Sequence, residues 1–416
     1  MLPSPLAGDR VLIIKFWGLG NIIQASPTLK MLRQNLPNCH LTFLTLSQNL
    51  GLYDRNNLYD RSLALTLKPM LPFVWEVLKL IRLLRKERFK WVIDLEPLTN
   101  FSESIAYLSG APNRVGFVRE RFLPPYDSRG EKKGGHSERS EESHKLHSLY
   151  THPVEFHEKI HIRDTFKTIA QSLLPPYNSN GEQKVGLDVL PPYDSWGEKK
   201  GGSLERSEEP FDDELIPILL NHEDQSFLDS FSQKHGIRAQ DFLVGININA
   251  SEVAKERRWL PERFAELADR IANTGTARIV FLGSPAERVY VEEAVSRMTT
   301  VPIIAAGKTT LRQMIALLGC CNLFISNDSG PVHMASAQGT PTVAIFGPES
   351  PDRYGPRESK HRVIYKGLPC SPCISFHNAK KVHCPEPKPP CIYHITVEEV
   401  WEAVKPLLPL PTPLRQ

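Results

Sequence analysis

Asn322 to Pro348 reads NLFISNDSGPVHMASAQGTPTVAIFGP. An apolar run over Asn322–Ser326 has the length of a strand, Asp328–Gly330 forms a turn, and Pro331 opens a short helix to Ala337. Pro341–Phe346 is then a second apolar strand. Strands joined through a helix run parallel, and unbroken apolar runs mark parallel strands covered on both faces. This stretch predicts a doubly wound α/β sheet, in which ligands sit beyond the carboxyl ends of the strands.

The same grammar continues upstream. Leu243–Ile248 reads as a strand before a loop and the helix Pro261–Asn273, and Arg278–Leu282 as a strand before Gly283 and a helix from Ala286. In the first hundred residues Arg10–Phe16 (RVLIIKF), Leu41–Leu46 and Trp91–Leu95 read as strands. Gly18, Gly20 and Asn21 form a turn, and Ser26–Leu36 and Phe73–Arg85 follow as helices. Alternation met twice, in a chain of 416 residues, predicts two Rossmann-like domains.

Between them lies an irregular internal repeat. LPPYDSRGEKKGGHSERSEES spans 123–143 and LPPYDSWGEKKGGSLERSEEP spans 190–210, with a shortened copy, LPPYNSNGEQKVG, over 174–186. The copies lack a hydrophobic face and are rich in Pro, Gly, Ser, Lys and Glu, which predicts disordered surface insertions; the competing reading is a binding lid. Tyr150–Leu173 between them has helical spacing. The expected domains are 1–218, carrying the insertions, 219–395, and a C-terminal helix and tail over 396–416 that packs back on the first domain.

Hydrophobic residues make up 41% and charged residues 23%, as in a globular protein with a packed core. Fifty basic residues against 47 acidic ones give +3, too even a balance for nucleic acid as partner. With no secretory signal, no spanning apolar stretch and seven cysteines, an odd number, the expected location is cytoplasmic. Cys370, Cys373, Cys384 and Cys391 fall within 370–391 and suit a structural zinc site, with His377 and His383 as substitute ligands; reduced thiols in a packed loop are the plain alternative. The helix from Phe73 has a basic flank of Lys79, Arg82, Arg85, Lys86 and Arg88, suited to anionic lipid or simply to solvent around a stripe packed on the sheet.

Asp328, Ser329 and Gly330 stand where backbone amides converge at a helix N-terminus, a seat for a pyrophosphate, and His333 lies on the same helix face. Read plainly, Asp328 is an N-cap and His333 a core residue.

The segment resembles the donor-binding signature D-[ST]-G-x-x-H of the heptosyltransferase family, glycosyltransferase family nine. Asn249–Ala268 (NASEVAKERRWLPERFAELA) resembles the same family, as do Phe16–Pro37 (FWGLGNIIQASPTLKMLRQNLP) and Asp94–Phe117. The resemblance covers Arg10–Phe117 and Leu243–Leu408. It implies a GT-B fold, two Rossmann-like domains facing a central cleft, and inverting, metal-independent transfer of a sugar.

By the same resemblance the donor is a nucleotide-sugar, ADP-heptose, and the acceptor a lipid-linked lipopolysaccharide glycan at the cytoplasmic face of the inner membrane. Arg257, with Arg258 beside it, matches the basic residue that meets donor phosphate. Glu287 matches an acidic residue that holds the ribose hydroxyls, and Gly20 lies in the glycine turn that approaches the donor.

One position departs. Where the family has a general-base aspartate this chain has Asn21, whose amide takes no proton at neutral pH. Asp94 is the candidate substitute base. The departure keeps two rivals open: another nucleotide-sugar enzyme of this architecture, such as a different transferase or an epimerase, and a catalytically inactive nucleotide-sugar-binding protein.

Overall fold

Apolar runs become central strands because both faces of the sheet must be covered. In the computed structural model, which describes residues 5–97, 99–119, 149–173, 214–250, 254–374 and 384–409, the chain divides into two units. The first comprises 1–17, 28–159 and 163–212; the second takes 18–27, 160–162 and 213–416.

In the first half of the chain β1 (Arg10–Ile14), β2 (His40–Leu46), β3 (Arg61–Leu65), β4 (Trp91–Asp94), β5 (Asn113–Arg119) and β6 (His152–Phe156) form one parallel sheet, ordered β3-β2-β1-β4-β5-β6. Helices α1 (Leu19–Gln24), α2 (Ser26–Asn35), α3 (Met70–Glu87), α4 (Asn100–Leu108) and α5 (Ile162–Leu173) connect or follow them. The core of this unit joins Leu12, Ile14 and Phe16 to Leu80 and Leu84 of α3 and Ile105 of α4.

Two expectations change here. Gly18 alone takes the turn, with φ of 73°, so Gly20 and Asn21 lie inside α1. Tyr150–Leu173 is not all helix, since its first part pairs with β5 as β6. The repeats at 123–143, 174–186 and 190–210 lie outside the described residues.

The second unit contains β7 (Phe242–Asn247), β8 (Ala277–Phe281), β9 (Ile303–Ile304), β10 (Leu323–Asn327), β11 (Thr342–Ile345) and β12 (Arg362–Ile364), all parallel, ordered β12-β11-β10-β7-β8-β9. Read from the β9 edge, this is the order of the first sheet. Its helices are α6 (His222–His235), α7 (Pro261–Ala272), α8 (Arg288–Val295), α9 (Leu311–Cys320), α10 (Gly330–Ala337), α11 (Pro351–Tyr354), α12 (Pro390–Tyr393) and α13 (Val397–Val404).

Local chemistry explains several boundaries. Asn221 with Asp224 and Thr310 with Gln313 form capping boxes at the starts of α6 and α9, and Pro261 begins α7. The helix expected from Ala286 starts at Arg288, after a 3-10 turn over Pro285–Glu287. The C-terminal helix α13 lies in this second unit, not on the first: Val400, Trp401 and Val404 are buried in its core, and Arg270 stacks on the Trp401 ring at 4.3 Å.

Candidate functional site

In a sheet of this order the strand order reverses between the first and fourth strands, and the loops there leave a crevice. In the second unit that point lies between β7 and β10, and polar side chains occupy it. Asn247 donates through Nδ2 to Ser326 Oγ at 3.1 Å and Ser329 Oγ at 3.2 Å, and its Oδ1 accepts from Asn249 Nδ2 at 3.1 Å. Asn327 accepts from the Trp259 amide at 2.9 Å and donates to the Ile248 carbonyl at 2.8 Å. Three loop ends are thereby tied by neutral amides and hydroxyls.

Onto this floor the Asp328 turn brings Arg257. Its guanidinium lies 3.0 Å from Asp328 Oδ2, while its Nε is buried without a hydrogen-bond partner among the described residues; the same holds for Asn249 Oδ1. A guanidinium has five N–H donors, so the pair with Asp328 orients Arg257 without exhausting it. Ser329 precedes α10 but its hydroxyl is held by Asn247 and Ser326, and no side chain caps the helix. Pro331 has no N–H and the Val332 amide donates to the Ser329 carbonyl at 3.1 Å, which leaves the Gly330 amide for another acceptor.

Against the start of α10 stands α1. A Cβ on Gly20 would lie 2.6 Å from His333 Cδ2 and 3.3 Å from Gly330 Cα, so only glycine fits there. His333 is buried, its Nδ1 at 2.8 Å from Gln24 Nε2. Asn21 is half-buried, with its amide folded back toward Gly18.

Other expected residues take different places. Arg258 reaches the Ala250 carbonyl at 2.9 Å and lies over the Tyr290 ring at 5.1 Å. Glu287 accepts from the Ser284 amide at 2.7 Å in a capping box. It nonetheless borders the site, since a Cβ on Gly283 would meet Asn249 Nδ2 at 2.9 Å and Glu287 Oε2 at 3.4 Å.

Asp94 belongs to the first unit and is fully buried, so it is poorly placed to serve as the substitute base. Tyr150 donates to its Oδ2 at 2.7 Å and the Glu96 amide to its Oδ1 at 2.9 Å. Burial pushes its carboxyl up to about 7. Glu96 beside it is consumed by the buried Lys15 ammonium at 2.8 Å and by the Trp17 amide at 2.6 Å.

The cysteines form a separate cluster. Cys373 donates its amide to the Pro348 carbonyl, and a Cβ on Gly347 would lie 3.5 Å from Cys391 Sγ. Burial pushes the Cys391 thiol up to about 11, and Cys373, Cys370 and Cys384 add to the effect. Among the described residues no group of three or more His, Cys, Asp or Glu is arranged to hold a metal ion, and His377 and His383 lie outside them.

Residues 216–383 match the model of glycosyltransferase family 9 (heptosyltransferase). The matched residues lie within the second unit. The Haemophilus influenzae lipopolysaccharide core heptosyltransferase OpsX is 32% identical over 152 residues, which are 35% of this chain and 41% of that protein. The chain thus aligns with less than half of that relative's length.

The family 9 structure from Veillonella parvula superposes with a TM-score of 0.70 at 24% identity, covering 97% of this chain and 98% of that one. The structure of Escherichia coli ADP-heptose lipopolysaccharide heptosyltransferase II gives 0.64 at 18% identity, covering 96% and 98%. The GT-B fold of two parallel-sheet α/β domains, expected from sequence, therefore holds.

Sequence reasoning found Asp328, Ser329, Gly330, His333 and Arg257 but missed Asn247, Asn249, Asn327 and Gln24. The signal for the first three was available: amides ending the otherwise apolar runs LVGINI and LFIS must find partners once buried. Gln24 had none, because its partner is 309 positions away.

Proposed function

We propose that the chain is a glycosyltransferase that moves a sugar from a nucleoside diphosphate to a glycan hydroxyl. The observation that carries the reading is Arg257, held by Asp328 at the uncapped N-terminus of α10 with donor capacity to spare. A diphosphate accepts from Arg257 and from the Gly330 amide, and the missing side chain of Gly330 leaves room for it. Glu287, beside Asn249, is the group for the ribose hydroxyls.

In the reaction the acceptor oxygen forms a bond to the anomeric carbon as the bond from that carbon to the diphosphate breaks. The configuration inverts, and the nucleoside diphosphate leaves with the charge that Arg257 offsets. The hydroxyl proton passes to a base that is neither Asn21, an amide, nor the buried Asp94.

ADP-heptose is the donor we assign, and a lipid-linked lipopolysaccharide core the acceptor, in keeping with the names of the Escherichia coli and Haemophilus influenzae proteins. No helix among the described residues is long and apolar enough to cross a membrane.

The test is ADP release from ADP-heptose in the presence of a detached lipopolysaccharide core, with wild type and Asn21→Asp. Transfer by wild type supports the reading, and Asn21→Asp should raise turnover by about 10²–10⁴-fold if the position has simply lost its base. Binding of ADP-heptose without transfer by either protein favours the inactive binding protein, which the departure at Asn21 makes the second reading. Failure to bind ADP or ADP-heptose overturns both.

A further inference from the structure

Helix α3 has two apolar faces. Phe73, Val77, Leu80, Ile81 and Leu84 pack into the first unit's core. On the opposite side Leu67, Met70, Leu71, Val74, Trp75 and Leu78 are exposed, Met70 by 82%, Leu71 by 78% and Trp75 by 60%. Leu71, Val74, Trp75 and Leu78 follow the spacing of one helix face, so they form a continuous stripe. A helix apolar all round is ordinarily covered on all sides, and a contiguous patch of this kind marks an interaction surface.

The charges around the patch select what covers it. From Leu67 to Arg88 there are six cationic side chains and two acidic ones. Both acids are engaged within the protein: Glu76 pairs with Lys68 at 2.8 Å and Lys79 at 3.7 Å, and Glu87 with Arg10 and Arg61. Arg82, one turn beyond Leu78, and Lys86 are exposed and have no acidic partner among the described residues.

We infer that the outer face of α3 docks on an anionic lipid bilayer surface, with Met70, Leu71 and Trp75 entering the interface and Lys79, Arg82 and Lys86 facing the headgroups. Tryptophan favours that depth, where one side of the ring is apolar and the other wet, and anionic headgroups attract the basic flank. The inference extends the proposed function by naming the surface that meets a lipid-linked acceptor, but its test does not depend on turnover.

The full chain is sedimented with vesicles of phosphatidylglycerol and phosphatidylcholine, and with phosphatidylcholine alone. Binding to the anionic vesicles, weakened by salt, is expected. It should fall by about tenfold or more in Leu71→Gln/Trp75→Gln/Leu78→Gln. Lys79→Gln/Arg82→Gln should weaken binding and flatten its salt dependence. All five side chains are exposed, and an unchanged urea unfolding midpoint verifies folding.

No binding to anionic vesicles, or binding that the triple variant leaves intact, overturns the inference. So does a wild-type dimer that the triple variant dissociates while vesicles capture neither, which would assign the face to a second copy of the chain. Turnover on the detached acceptor is read separately, so failure of the transferase reading remains distinguishable.

Discussion

The two sheets share one strand order, yet their switch points are filled differently. Between β1 and β4 the loop ends are closed by a buried ion pair, Lys15 with Glu96, whose carboxylate also holds the Trp17 amide, while Asp94 is occupied by Tyr150 and the Glu96 amide. Between β7 and β10 the floor is neutral, and Arg257, a cation set into it, retains a buried Nε without a partner among the described residues. The fold offers the same crevice twice; side chains make the first a structural joint and leave the second available to a ligand.

That contrast is open to direct attack. The largest effect should come from Lys15→Met, which leaves Glu96 buried without its counter-charge. A loss of about 3–5 kcal/mol in unfolding free energy is expected by urea titration, with ADP affinity of the folded fraction unchanged. A smaller stability effect would mean the first switch point is not the joint described. The complementary change, Arg257→Ala, should act on the ligand site. Calorimetry should show ADP binding weakened by about 1.5–3 kcal/mol, with some stability lost as well, because Asp328 is left buried without its guanidinium.

Gly20→Ala tests the packing beneath the second site. Its Cβ would press on His333 Cδ2 at 2.6 Å, so about 1–3 kcal/mol of stability should be lost, together with some ADP affinity. Gly330→Ala is the control for stability, though not for ADP binding, because its Cβ meets nothing closer than 3.6 Å. Equal effects of the two would contradict the close approach of α1 and α10.

A further effect is expected on pH dependence. Burial lifts the Asp94 carboxyl from 3.8 to about 7, so the folded protein keeps a proton there that the unfolded chain releases. Stability from this group is therefore present at the acid end and is lost as pH rises from about 4 to about 7. Asp94→Asn should flatten that slope in urea midpoints taken across the range; an unaltered slope would place its origin elsewhere.

The same contrast between central and peripheral positions governs what sequence reveals. β1, β2, β4, β7, β8, β10 and β11 are interior strands covered on both faces, and each announces itself as an apolar run. The strands that escape are β3, β6, β9 and β12, the four sheet edges, and β5 next to an edge. RSLAL, NRVGFVR and HPVEF mix charge, glycine or proline into short runs, and β9 has only two residues. The Asp328 turn was legible because its residues are contiguous. The amide floor beneath it and the contact between Gln24 and His333 join distant positions, which no local pattern encodes.

Gly18–Pro27 lies early in the chain but belongs to the second unit, as does 160–162. The path thus passes from one unit to the other at 17/18, 27/28, 159/160, 162/163 and 212/213. Neither unit is a single stretch of gene. A fragment starting at residue 214 would retain Arg257 and the Asp328 turn but lack Gln24 and the helix that seats against His333. In recombination or fragment design, the second unit can be inherited whole only together with the opening residues of the chain.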